Sequence, residues 1–123
     1  MVIITQEPID ISALRETLFD GTAGGYSAFE GWVRNHNEGR EVERLEYEAY
    51  EPLAVSEGQK IIAEANELYP FDKASFVHRV GLLEIGDCAV WVGVAARHRD
   101  EGFKACRYII DELKGRLPVG TDE

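Results

Sequence analysis

The spacing of apolar residues changes along the chain, and each change marks an element. Cys88-Ala89-Val90-Trp91-Val92-Gly93-Val94-Ala95-Ala96 is apolar without a break, the pattern of a strand covered on both faces. Val42 to Tyr50 alternates, with Leu45, Tyr47 and Ala49 against Arg44, Glu46 and Glu48, and predicts a strand with one wet face. Val2 to Thr5, Tyr26 to Arg34 and Ala74 to Val80 predict three more strands. Elsewhere the apolar residues recur every three or four positions. Asp10 caps a helix to about Phe19, with Ile11, Leu14 and Leu18 on one side. Pro52 suits the first turn of a second helix to about Leu68, with Ala54, Gly58, Ile61, Ile62, Ala65 and Leu68 at helical spacing and Pro70 beyond its end. A third covers about Asp100 to Arg116, with Phe103, Cys106, Ile110 and Leu113 as its buried stripe and Pro118 as its stop. Gly21 to Gly25, Asn35 to Arg40 and Gly81 to Asp87 read as connections. The order β-α-β-β-α-β-β-α predicts one α+β sandwich domain over residues 1–123, with a mixed, largely antiparallel sheet and three helices.

Composition narrows the class. At 123 residues and 45% hydrophobic the chain can build a true core. Its net charge of -10 argues against nucleic acid and anionic membrane as partners. No apolar run approaches the ~18 residues of a membrane span, and the N-terminus lacks a basic, then apolar, export signal. Cys88 and Cys106 are too few and too far apart for a disulfide framework or a metal motif, and read as buried free thiols in the cytosol.

Against this acidic background the cations are clustered. Six of the 13 Lys and Arg residues fall within 97–116, starting with Arg97-His98-Arg99 at the end of the apolar strand. A strand end that feeds a helix start offers free N–H groups and a positive dipole end, so His98 and Arg99 there suit an anion. The ordinary alternative pairs Arg99 with Asp100 or Glu101. Arg34-Asn35-His36-Asn37 ends another apolar segment, Phe29-Glu30-Gly31-Trp32-Val33, and His78-Arg79 ends a third. Lys114 shares a helical stripe with Lys104, Arg107 and Asp111 and could be a surface lysine close to Asp111. Three histidines without short metal-ligand spacing give no support for a metal. Glu46 and Glu48 share a strand face, as in any half-exposed strand, and Gly21 to Gly25 lacks the Lys-Ser/Thr of a nucleotide loop.

Taken in order, several segments resemble the large subunit of molybdopterin synthase, the MoaE family. They are Phe29 to Asn37, Leu45-Glu46-Tyr47-Glu48-Ala49-Tyr50, His78-Arg79-Val80-Gly81, Ala96-Arg97-His98-Arg99 with Phe103, Ala105 and Cys106, and Asp111-Glu112-Leu113-Lys114. The spacing holds from about residue 26 to residue 119. The resemblance implies an α/β hammerhead fold and a homodimer within a heterotetramer. Each large subunit then receives the thiocarboxylated Gly-Gly tail of a small ubiquitin-like sulfur-carrier subunit. It implies sulfur transfer to cyclic pyranopterin monophosphate (precursor Z), forming the molybdopterin dithiolene without metal or diffusible cofactor. Lys114 matches the family's essential lysine. Trp32, Val33, Arg34, His98 and Arg99 match its substrate site, with Phe29, His36, His78 and Arg79 as supporting residues.

The match departs after Leu117-Pro118-Val119. The family continues Trp-Lys-Lys-Glu there, and its first lysine is functional; this chain has Gly120-Thr121-Asp122-Glu123. Either the chain is shortened at this point, or a lysine-bearing segment between Val119 and Gly120 is absent from the sequence; the second is favoured, because Gly-Thr-Asp-Glu resembles what the family shows slightly further on. Three functions stay open: the catalytic subunit, a family member that dimerises and binds the small subunit without turnover, and, more weakly, a phosphate-ligand module that needs no partner protein.

Overall fold

The computed structural model describes residues 1–37, 40–41 and 44–122, with side chains outside 36–48 and 119–122. In chain order the elements are β1 (Val2–Thr5), α1 (Ile11–Leu18), β2 (Gly25–Trp32), β3 (His36–Asn37), β4 (Arg40–Glu41), β5 (Arg44–Ala49), α2 (Glu51–Leu68), β6 (Lys73–Arg79), β7 (Gly81–Glu84), β8 (Cys88–Ala96), α3 (Arg99–Arg116) and β9 (Val119–Asp122). Asp10 Oδ1 accepts from the Ala13 N–H at 3.1 Å and caps α1, and Pro52 stands in the first turn of α2.

The central sheet has the order β1-β6-β8-β2, parallel between β1 and β6 and antiparallel elsewhere. Its apolar strand β8 is central because both of its faces are covered. Val92 and Val94 pack with Phe76 against Ile61 and Ala65 of α2 and Ala105 and Ile109 of α3. Trp91 and Ala95 point the other way, to Leu18 of α1 and Val77. Gly93 belongs to this second face: a Cβ there would sit 2.3 Å from the Trp91 ring and 2.8 Å from Leu18, so the indole lies where a side chain would be. Fully burying residues of this size is worth about 1.5–3 kcal/mol each.

Four expectations need correction. The Gly81–Asp87 connection contains a strand, β7, which joins β5 and β9 in a second antiparallel sheet of order β7-β5-β9. Gly81 has φ +92°, which lets the chain reverse straight out of β6, and Leu83 anchors the short strand in the core. The Asn35–Arg40 stretch holds a strand and part of its partner, since β3 pairs with β4. On the third helix Cys106, Ile110 and Leu113 are buried as expected, together with Gly102, Ala105 and Ile109, but Phe103 is 60% exposed. Leu68 on α2 is exposed as well, beyond the reach of the sheet. Val42 lies outside the described residues.

Both cysteines are free, as read from the sequence. Cys106 is buried in the α3 face, which pushes its thiol up to about 11. Among the described residues, no helix is long and apolar enough to cross a membrane.

Candidate functional site

Strand direction decides where the cations go. β2 runs antiparallel to β8, with Gly25 opposite Ala96 and Trp32 opposite Cys88. Trp32, Val33 and Arg34 therefore stand at the end of the sheet where β8 begins, and Arg97, His98 and Arg99 stand where it ends. Helix α3 then runs back along the sheet from Arg99 to Arg116. Fifteen residues of helix put Lys114 about 22 Å from Arg99, back at the Trp32 end. One chain thus joins Lys114, Phe29, Trp32 and Arg34 at one end and Arg97, His98 and Arg99 at the other.

At the first end, Lys114 Nζ sits 6.0 Å from the centre of the Phe29 ring, a cation–π distance. The other cations of its stripe are paired: Lys104 with Asp100 at 3.1 Å, and Arg107 with Asp111 at 3.5 Å. Asp111, the neighbour that would have made Lys114 an ordinary surface pair, is thus held by Arg107. Arg116, two residues on, is held by Glu57, Glu64 and Glu112, and Tyr108 also donates to Glu64. Lys114 has no ion pair among the described residues. Its charge stays available, on an exposed side chain backed by an aromatic ring.

Trp32 is 68% exposed, and its Nε1–H donates to Glu30 Oε1 at 3.1 Å, which fixes the ring plane. Arg34 is exposed and has no ion pair among the described residues. Val33 is 3% exposed, and its side chain packs with Leu83 and Ala89 in the core. Its backbone is gripped too, N–H to Asp87 O at 3.0 Å and C=O from Gly86 N–H at 2.7 Å. Arg79 is tied into the neighbouring turn. Its Nη1 lies 3.3 Å from Asp87 Oδ2, which also accepts the Glu84 N–H at 2.9 Å, and its Nε–H donates to Gln6 O at 3.3 Å. Arg79 thereby braces the turn that holds Val33 and so aims its neighbours Trp32 and Arg34. His78 is half-buried, with Nδ1 2.8 Å from Arg79 O, and burial lowers its pKa. The His36 side chain lies outside the described residues.

At the second end, His98 is the N-cap residue of α3 but its side chain makes no capping bond, and Arg99 opens the helix. Both are exposed. Arg99 has no ion pair among the described residues: Asp100 is taken by Lys104, and Asp72 lies 3.7 Å from Arg97. Two unpaired cationic or protonatable side chains beside a helix start suit a phosphate or carboxylate. Asp87 and Asp72 are site neighbours that the sequence did not single out, and Glu101 figured there only as an ordinary partner for Arg99. The Gly86-Asp87 turn dipeptide was the only local signal for the first of them.

Fold and charge together define a small α/β hammerhead-type sandwich with cations at both ends of one sheet that are unpaired among the described residues. The chain belongs to the MoaE protein family, whose model matches residues 4–116. Over 117 residues it is 42% identical to the molybdopterin synthase catalytic subunit of Pyrococcus abyssi, covering 95% of this chain and 79% of that one. To the molybdopterin synthase catalytic subunit of Synechococcus elongatus it is 41% identical over 113 residues, 91% of this chain and 68% of the other. The crystal structure of molybdopterin synthase from Staphylococcus aureus is similar with a TM-score of 0.92 at 37% identity, covering 97% of this chain and 87% of that chain. A complex of subunits 1 and 2 of molybdopterin-converting factor from Helicobacter pylori shares the fold, with a TM-score of 0.81 at 20% identity over 98% of this chain and 82% of that one.

Proposed function

We propose that this chain is the catalytic subunit of a molybdopterin synthase, working in the cytosol. It transfers sulfur from the thiocarboxylated C-terminus of a small ubiquitin-like subunit to cyclic pyranopterin monophosphate, forming the dithiolene and opening the cyclic phosphate. The relatives named above support this reading along nearly the whole chain. The observation that carries it at the site is Lys114: the cation the family requires is the one on its helical stripe left without an acidic partner among the described residues and set against Phe29.

In this reading Lys114 holds the negative charge that develops as the thiocarboxylate sulfur attacks, or passes a proton to it. Arg34, His98 and Arg99 anchor the substrate phosphate. Because one chain separates these groups, two copies complete each site. β2 lies at the edge of its sheet, with most of its residues exposed. Antiparallel pairing of two β2 edges about a two-fold axis brings the Trp32 end of one copy beside the Gly25 end of the other. Arg34 and Lys114 then face His98 and Arg99 of the second copy. The exposed rings of Tyr26, Phe29 and Phe103 would be covered along the same edge.

Lys114→Ala in a turnover assay with thiocarboxylated small subunit is the test, with a loss on the order of 10²-fold or more expected. Near-normal transfer by that variant would sink the assignment. One observation favours the non-catalytic reading: Thr121, which by counting stands at the first lysine of the family's Trp-Lys-Lys-Glu, lies in β9 opposite Tyr47 and supplies no charge. Wild-type turnover excludes that reading.

A further inference from the structure

A cleft of about 330 Å³ opens at the His98 end, between the α2–β6 connection and the start of α3. Pro70, Phe71 and Asp72 form one wall, and Arg97, His98 and Glu101 the other. Two oxygens here are unusual. Asp72 Oδ2 and Glu101 Oε2 are shielded from solvent and have no hydrogen-bond partner among the described residues. The Asp72–Arg97 contact, 3.7 Å at Oδ1, is too long to count as a hydrogen bond. A shielded carboxylate oxygen without a donor is costly, and the fold leaves two of them in the walls of one cleft. The terminal torsion of a carboxylate is soft, so a small rotation turns either oxygen toward a ligand.

These walls ask for a flat group with adjacent N–H donors. Phe71, half-buried, lines the cleft and gives it an aromatic wall. His98 stands in the wall and Arg99 beside it, suited to an anionic group on the same molecule. A pterin carrying a phosphate has this combination: its 2-amino group and ring N–H form a guanidine-like edge that one carboxylate can accept in plane. We infer that Glu101, assisted by Asp72, recognises the aminopyrimidine edge of the substrate pterin, while His98 and Arg99 face its phosphate. This rests on the synthase reading and extends it to a specificity determinant that Lys114 and Arg34 cannot supply, because cations do not accept N–H bonds. Glu101 is therefore a substrate-binding residue with no part in the sulfur chemistry.

The experiment uses the assembled synthase and reads KM and kcat for cyclic pyranopterin monophosphate. Competition by pterin and by lumazine, which carries a 2-oxo group in place of the amine, is read alongside. The wild type should prefer pterin to lumazine by about 10-fold or more, since lumazine sets an oxygen against the carboxylate. Glu101→Gln should raise KM by about 10-fold, leave kcat within about 3-fold and erase the preference for pterin. Asp72→Asn should act in the same direction by a smaller factor; melting curves that overlay the wild type show both variants folded. Unchanged KM and an intact pterin preference in both variants, with the wild type turning over, overturn this inference alone. A higher KM with the preference intact also overturns it, because the contact would then lie at the phosphate. A wild type without turnover overturns the synthase reading, and this inference with it.

Discussion

The chain carries the dipeptide His-Arg twice, at His78-Arg79 and His98-Arg99, and the fold uses the two in opposite ways. His78-Arg79 closes β6 inside the central sheet. His78 is half-buried, and Arg79 is tied to Gln6 O and to Asp87, which secures the turn beneath Val33. His98-Arg99 follows β8 into open solvent, where neither side chain has a partner among the described residues. Lys114 and Arg116 repeat the contrast two residues apart on one helix. Arg116 is locked by three carboxylates into the seam between α2 and α3, and Lys114 faces Phe29 without an acid among the described residues. A cation whose bonds are all satisfied by the fold stabilises it, and one left unsatisfied is available to a ligand.

The contrast breaks most sharply at the two helix cations. Lys114→Ala should lower turnover by on the order of 10²-fold with little change in melting temperature. Arg116→Ala should do the reverse, leaving Glu57, Glu64 and Glu112 to repel one another and lowering the melting temperature while turnover of the folded fraction persists. Equal effects on both readouts would erase the distinction.

The two-copy site gives the next largest effect. Arg34→Ala and Arg99→Ala proteins should each be nearly inactive alone. Mixed after dissociation, they should recover about one quarter of wild-type activity, because half of the re-formed dimers are hybrids and each hybrid restores one of its two sites. No recovery, with hybrids shown to form, would place Arg34 and Arg99 in one chain's site and contradict the antiparallel β2 pairing.

The His-Arg pairs separate by a smaller factor. His98→Ala should raise KM by about 10-fold without moving the melting temperature. His78→Ala should leave KM alone and lower stability by about 1–2 kcal/mol.

Acid unfolding sharpens the comparison last. Burial holds the His78 pKa below its ordinary 6.5, so the unfolded chain binds that proton more readily than the folded one. Its effect on stability is absent above 6.5 and grows as pH falls below that value, destabilising the fold. Hydrogen bonds from Arg116 and then Tyr108 hold Glu64 down to about 2, against an ordinary 4.5. That contribution is fully present above 4.5 and is lost as pH falls from there toward 2. Urea midpoints between pH 8 and 3 should therefore show a slope below 6.5 that His78→Phe removes, then a second below 4.5 that Glu64→Gln removes. A slope unchanged by either variant would assign the acid sensitivity elsewhere.

Much of this architecture was legible in the chain. The unbroken apolar run of β8, the caps at Asp10, Pro52 and Pro118, and the order of the long elements are local signals, and the structure follows them. The misses share a cause. β7 and β9 are four-residue strands whose partner, β5, is remote in sequence, so no local period marks them. Phe103 fits the helical period of the buried stripe, yet it stands exposed beside the edge strand β2.

By itself the sequence determined the three helices and the longer strands, the cationic character of two strand ends, and the resemblance that made Lys114, Arg34, His98 and Arg99 candidates. Periodicity, capping and motif spacing are properties of neighbouring residues, and a chain displays them before it folds. Only the tertiary structure decided that Val33 points inward, that Arg79 braces a turn, and that Lys114 and Arg99 lie at opposite ends of one sheet. Partners in an ion pair and the direction of a strand are set by residues far apart in the chain, and those distances exist only once the sheet has closed.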